Sequence, residues 1–446
     1  MQCRSRHAQR MVGLISCLAA IVVSQSVFAQ KTGTIIEKWK GGKNAAISLT
    51  YDDGSINQFT KALPIMNRLS IPATFFIITG QIPGSQYQGK FIGRPVEQII
   101  AETATVPTNK DNFFERASAI GFLGLSGTLE YHTRAGGVYD EEGEEAAAQE
   151  AYAIIDEGYK KVREGAFQPK KPGDNRKGVT WDEIRTYAKQ GHEFASHTVS
   201  HPRLAVLDDT NMLYELEKSK EEILKQLGAE YTFSAEGPYG TENERVMQMM
   251  YPIYPALRNR MPEPFLEELN RSAKMNPGLS KKEYVQWQRG ATTKTPLPMM
   301  KGWVDTVATH DNNWLVLVFH GVDGIGYEAL PHEMLDEYFQ YMKSKESKLW
   351  IATFGDVAKY MRERMAATIE SQNTSDKISI ILKHTLNATL YNYPLSLRTY
   401  VPAKWKSVKV TQGGVVKKYQ VMKDGSDSYV QYDATPNSGT IELQKQ

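Results

Sequence analysis

Three places along this sequence put ionisable side chains straight after apolar runs. Asp52 and Asp53 follow residues 45–51 and precede Gly54. His197 and His201 bracket Thr198-Val199-Ser200, behind a short run at 193–196. His320 follows Leu315-Val316-Leu317-Val318-Phe319 and precedes Gly321. Each has a plain reading when taken singly. An Asp-Gly turn accounts for one aspartate, capping or packing for the paired histidines, and a satisfied rim position for His320. Yet two adjacent carboxylates repel each other and gain nothing for folding. Two imidazoles at i, i+4 lie on one side of a helical turn and can grip one cation. Pro202 places that pair at a loop or helix start rather than inside a helix. Together the groups complement one another. Two histidines and one carboxylate make a three-ligand site with an open position, as in a hydrolytic metal centre. One aspartate would bind the metal, its neighbour would stay free as a base, and His320 would give a proton to the leaving group.

The elements that must position these residues show as a β/α alternation. Residues 45–51 read as a buried strand, 56–69 as a helix stopped by Ser70-Ile71-Pro72, and 73–79 as a second strand. Such a β-α-β unit argues for a parallel sheet, and strand ends are where sheets of this kind build their sites. From about 81 to 177 the chain turns polar and glycine-rich, with an acidic run at 140–145 that reads as a solvated helix face. This stretch is predicted to be an insertion that shapes substrate access. Alternation resumes at Thr180, an N-cap with Glu183 three residues on as a capping box. Helices are predicted over 181–190, 211–226, 333–343 and 354–365, and strands over 193–196, 314–319 and 349–353. After about residue 368 short alternating strands take over, at 378–383, 407–411, 419–422, 428–432 and 440–443. Gly413-Gly414, Asp424-Gly425 and Pro436-Asn437 divide them as turns. In this region Tyr391, Tyr393 and Trp405 are either core residues or a sugar-stacking face.

A formal charge of +2 over 446 residues offers no basic stripe of the kind a nucleic-acid binder needs. Residues 1–29 read as a signal peptide. Arg4, Arg6 and Arg10 make a basic start, 11–23 an apolar run, and Val27-Phe28-Ala29 a cleavage site. No stretch is long enough for a comfortable membrane span, so a secreted or periplasmic protein is expected. A lipoprotein box at Leu14-Ile15-Ser16-Cys17 is the second reading. Both cysteines, Cys3 and Cys17, lie in this leader, so any metal must be held by histidine and carboxylate. The expected organisation is a leader at 1–29, a catalytic domain at 30–368 with its insertion at about 81–177, and a small β-domain at 369–446.

Four segments resemble, in order, the motifs of the polysaccharide deacetylase family, whose catalytic part is the NodB homology domain. They are Thr50-Tyr51-Asp52-Asp53-Gly54, Gly191-His192-Glu193 with His197-Thr198-Val199-Ser200-His201, Gly237-Pro238-Tyr239-Gly240, and Leu317-Val318-Phe319-His320. The resemblance spans roughly residues 43–365 apart from the insertion. It implies an α/β fold, a distorted barrel of seven or so β/α units, and a metal-dependent carbohydrate esterase of family 4. It further implies Asp52 as general base, Asp53, His197 and His201 as metal ligands, and His320 as general acid. The backbone amide of Tyr239 would help stabilise the oxyanion, and His192 is read as structural. Zinc is the default ion for this ligand set, and cobalt, nickel or manganese also fit it. The implied activity is removal of acetyl groups from a carbohydrate, foremost N-deacetylation of an amino-sugar glycan. The alternatives are an O-acetyl esterase on a plant-type polysaccharide such as xylan, or a carbohydrate-binding protein with a weakened site. Two departures from the family pattern stand out. The third motif opens on Glu236 where the family has an arginine, and a carboxylate there would raise the pKa of Asp52. The fourth motif has Arg289, Trp303 and Asp305 in its stretch, with Arg289 as the cation expected beside Asp52.

Overall fold

The computed structural model describes residues 32–141, 145–170, 178–240 and 243–446. The predicted leader with Cys3 and Cys17, and part of the acidic run, lie outside the described residues.

Alternation along the central strand, Ala45–Asp53, generates the architecture. Leu49 and Tyr51 face an apolar layer with Phe75, Phe194, Leu315, Leu317 and Phe319. Ser48, Thr50 and Asp52 face the opposite way. There Trp314 Nε1 donates to Ser48 Oγ at 3.0 Å, and Arg258 donates to Thr50 Oγ1 at 2.8 Å. A strand buried on both faces belongs to a parallel sheet, covered by helices outside and curled upon itself inside. The sheet runs in the order Ala256–Leu257, Ser234–Ala235, Glu193–Ser196, Ala73–Ile77, Ala45–Asp53, Asn313–Phe319, Tyr284–Gly290, Leu266–Leu269. Leu349–Ile351 pairs with the first residues of Ala45–Asp53. Every pairing in it is parallel. The result is the expected distorted β/α barrel, left open between Ala256–Leu257 and Leu266–Leu269. Side chains bridge toward that gap: Gln286 and Gln288 each donate to the Arg258 carbonyl at 2.7 Å.

Helix Trp181–Lys189 starts on the predicted Thr180–Glu183 capping box. The segment predicted as one helix at 56–69 is a π-helical turn, Gln58–Ala62, followed by Leu63–Leu69. Such turns recur at functional sites because they re-aim a side chain, and here the re-aimed residue is Gln58. Between the second barrel strand and Trp181, helices Val96–Glu102, Phe113–Gly121, Thr128–Glu141 and Glu145–Arg163 pack around Ile99, Ile120, Tyr131 and Tyr159.

The C-terminal region forms two antiparallel sheets. One is Thr34–Ile36, Leu395–Tyr400, Asp427–Ala434 and Met422–Asp424. The other is Thr368–Asn373, Lys377–Lys383, Ile441–Lys445, Ser407–Gln412 and Val415–Gln420. They close over Ile380, Leu397, Val410, Val430 and Leu443. The strand predicted at 419–422 divides around Val421, and its two halves join different sheets. The sugar-stacking alternative for Tyr391, Tyr393 and Trp405 is corrected. Trp405 is fully buried in the sandwich core. Tyr391 meets Phe233 with centroids 5.5 Å apart, and Tyr393 packs on Trp350 and Tyr360, so both tie the sandwich to the barrel.

Candidate active site

Parallel strands deliver their next residue to one end of a barrel, and that end collects the polar groups here. Asp52 and Asp53 finish Ala45–Asp53, and His197, Glu236, Arg258 and His320 each follow directly on a strand. Except for the fully buried Arg258, these residues line one cavity of about 390 Å³ with Arg203, Tyr239, Arg271 and Tyr327.

Asp53 Oδ1 lies 3.7 Å from His197 Nε2 and 3.4 Å from His201 Nε2. The three ligand atoms sit within 4.8 Å of one another. His197 Nδ1 is hydrogen-bonded to the Glu236 carbonyl at 3.0 Å, which orients the ring and leaves Nε2 toward the carboxylate. Burial, with the neighbouring His201 ring, pushes His197 down to about 3, and burial pushes His201 down to about 4. Both imidazoles are therefore neutral at ordinary pH, the form that binds a metal. Burial and the adjacent Asp52 charge push Asp53 up to about 6. A carboxylate disfavoured by its surroundings beside two neutral imidazoles suits a divalent cation, which the donor set fits.

The two histidines come from a loop, not from a helix turn. Thr198 and His201 both have positive φ, 67° and 64°, as do Asp53 at 75° and Tyr239 at 64°. Eight described non-glycine residues share this conformation, and four of them are here. Each costs of order 1–3 kcal/mol and persists where its surroundings enforce it. Glu215 supplies part of that enforcement. Its carboxylate accepts from Ser200 N–H at 2.8 Å and from Ser200 Oγ at 2.7 Å. His201 N–H donates to Thr198 Oγ1 at 3.0 Å. His192 lies apart from the cavity: Nδ1 accepts from Ala73 N–H at 3.2 Å, and the ring reaches Asn67 at 3.0 Å.

Asp52 is buried against Arg258, whose guanidinium grips both carboxylate oxygens at 2.6 and 2.7 Å. Burial acts to raise Asp52. The Arg258 charge, aided by His320, outweighs it and holds the carboxyl well below the usual range. His320 Nε2 stands 3.4 Å from Asp52 Oδ2. Gln58 Nε2 donates to the backbone carbonyls of Asp52 at 2.5 Å and His320 at 2.7 Å, fastening the two strand ends together. Glu236 does not confront Asp52 unopposed. Its Oε1 takes Arg258 Nη2 at 2.9 Å and Asn259 Nδ2 at 2.6 Å. Burial still pushes Glu236 up to about 7, against the pull of Arg258.

The expectation that Arg289 stands beside Asp52 is corrected. Gln286 and Gln288 point into the barrel, so strand alternation turns Arg289 outward. There it stacks on Trp287, 4.5 Å from the ring centroid, and donates to the carbonyls of Arg271 and Ala273. Trp303 and Asp305 sit on the outer helix Leu297–Ala308, where Asp305 accepts from Tyr341. Arg258, unrecognised from sequence, takes the place assigned to Arg289. Its signal is a charged residue directly after the apolar pair Ala256-Leu257, the pattern that marks His320.

The family model described as polysaccharide deacetylase matches residues 40–103 and 147–251. A gellan lyase from a Bacillus species is 22% identical over 276 residues, and the match covers 58% of this chain but 11% of that protein's length. Among solved structures, the chitin deacetylase of Colletotrichum lindemuthianum is 14% identical, covering 71% of this chain and 87% of that one, with TM-score 0.33. The Xyl-CE4 domain of a multidomain xylanase from the hindgut metagenome of Trinervitermes trinervoides is 13% identical, with 71% and 89% covered and TM-score 0.32. The peptidoglycan deacetylase PdaC of Bacillus subtilis is 13% identical, with 72% and 93% covered and TM-score 0.33.

Proposed function

We propose that this chain, which the polysaccharide deacetylase model matches over residues 40–103 and 147–251, is a metal-dependent hydrolase that removes acetyl groups from a carbohydrate, foremost N-acetyl groups of an amino-sugar glycan. The observation that carries the reading is the pairing of Asp52 with Arg258 beside the Asp53, His197 and His201 triad. A carboxylate kept ionised next to a cation site is equipped to take a proton from an attacking water. A divalent ion held by the triad, with zinc as the default and cobalt, nickel or manganese alternatives, supplies Lewis acidity toward the acetyl carbonyl and the water.

Asp52 accepts the proton as the new carbon–oxygen bond forms. Tyr239 N–H donates to the carbonyl oxygen as it gains negative charge. His320, 3.4 Å from Asp52 Oδ2, returns a proton to the nitrogen as the carbon–nitrogen bond breaks, releasing acetate and an amine. An O-acetyl ester is cleaved by the same steps and depends less on His320, because an alkoxide leaves more readily than an unprotonated nitrogen, which would have to depart as an amide anion. The reading of a binding protein with a weakened site drew on Glu236, and Arg258 removes its ground. The leader at 1–29 would carry the protein out of the cytoplasm. Among the described residues no helix is long and apolar enough to cross a membrane.

The test is acetate release from N-acetylated chitooligosaccharides and from O-acetylated xylan, measured before chelation, after it, and after metal is returned. Release that a chelator abolishes and metal restores supports the reading. Release that survives full removal of metal, or no release from either class, overturns it.

A further inference from the structure

The cavity holds a cation that the chemistry above does not use. Arg258 pairs with both Asp52 and Glu236, and Asp53 faces the cation site. Arg271 lines the same cavity and is engaged by none of these groups. No ion pair joins it to a carboxylate among the described residues, and its side chain is exposed. Its position is nonetheless built. A Cβ at Gly290 would come within 3.0 Å of Arg271 Cδ, and one at Gly240 within 3.2 Å of its guanidinium. The arginine thus lies across two glycines, one of them in the Gly237–Gly240 segment and at φ +70°. It thereby shares the cavity with His201, Glu236 and His320.

Arg203 lines the cavity too, with its guanidinium 4.5 Å from the centroid of the Tyr239 ring. Its stem rests on the helix Thr128–Glu141, where a Cβ at Gly136 would come within 2.7 Å of Arg203 Cδ. A glycine inside a helix costs about 1 kcal/mol relative to alanine, so it needs a packing reason, and the passage of Arg203 supplies one. The exposed rings of Tyr239 and Tyr327 border the same opening and offer flat faces for sugar rings.

We propose that Arg271 forms an anion subsite next to the triad, and that the acetylated glycan acted on here carries carboxylates, as chains containing uronic acids do. A guanidinium fork matches a carboxylate through two parallel hydrogen bonds, which a neutral hydroxyl cannot reproduce. The acetyl part of this statement rests on the deacetylase reading, and the anion part does not.

Binding separates the two. The metal-loaded protein is titrated calorimetrically at low and high salt with a neutral N-acetylated chitin oligosaccharide, with a hyaluronan oligosaccharide of equal length, and with sodium acetate. The hyaluronan fragment, which carries both N-acetyl groups and carboxylates, binds at least about tenfold more tightly than the neutral one at low salt. Arg271→Gln removes most of that preference and Arg271→Lys keeps part of it. In both variants neutral-glycan affinity falls by a smaller factor than hyaluronan affinity. Equal affinity for the two oligosaccharides, or a preference that survives Arg271→Gln, overturns the proposal. So does binding of acetate alone without any preference between the glycans. If the anionic preference holds while no substrate releases acetate, the subsite stands and the deacetylase reading falls.

Discussion

Among the described residues, two clusters of histidine and carboxylate bring their side-chain donor atoms within 4.8 Å of one another: Asp53 with His197 and His201, and Asp323 with His332 and Glu333. Ligand spacing does not tell them apart, but their surroundings do. In the second, Asp323 accepts from His332 N–H at 2.9 Å and meets the ring Nδ1 at 2.8 Å, at the first residue of helix His332–Ser344. It caps a helix in contact with water, and exposed pairs of that kind contribute about 0–1 kcal/mol. In the first, desolvation keeps both imidazoles neutral, two ligands hold strained backbone, and an ionised Asp52 stands next in sequence. Burial and a neighbouring ionised carboxylate, not proximity of donor atoms, distinguish the proposed reaction centre from a helix cap.

The largest expected break in this contrast comes from His201→Ala. Losing a ligand should weaken the metal by more than the roughly 10–100-fold typical of losing an outer partner, and turnover goes with it. Metal content by mass spectrometry or atomic absorption checks this, and a His201→Ala protein with one ion per chain would refute the ligand assignment. Next is Asp52→Asn, which should keep the metal while kcat falls by about 10²–10⁴-fold. Loss of metal in that variant would make Asp52 a ligand instead.

Arg258→Gln sharpens the contrast through pH. As the proposed base Asp52 would work ionised, and Arg258 is what overcomes the upward push of burial. Without the guanidinium its pKa rises, so activity should disappear from the acid side. The acid limb of kcat/KM moves up by more than about one pH unit. Arg258→Lys restores the charge but not the bidentate grip, and should move the limb less. A limb that stays put in Arg258→Gln would detach Arg258 from the base. The smallest effect belongs to His332→Ala. Metal stoichiometry and turnover should be unchanged, and stability should shift by no more than about 0.5 kcal/mol. A lost equivalent of metal in His332→Ala would erase the distinction between the clusters.

The sequence carried much of this site and missed part of it for identifiable reasons. Asp52, Asp53, His197, His201, Glu236, Tyr239 and His320 reach one cavity, and each lies in or beside a strand end or a recognisable motif. Arg289 misled because it falls in the right stretch of chain, while side-chain direction in a strand reverses at every residue. Trp405 left two readings open because aromatic patterning is the same for a core and for a sugar platform until burial is known. The strand Thr34–Ile36 has three residues, too few for periodicity, and its place beside Leu395–Tyr400 is a pairing across most of the chain.

What the sequence determined by itself is the set of polar groups that line the cavity and the β/α alternation that presents them, because local periodicity and residue type suffice for both. What only the tertiary structure decided is which charges meet. Arg258 lies 206 residues from Asp52 and follows a strand of two residues, so no local pattern announces their contact. Curling of the sheet brings those strand ends together. In the dry space between them Arg258 outweighs both the burial of Asp52 and the presence of Glu236, and that balance of long-range contacts sets the charge of the base.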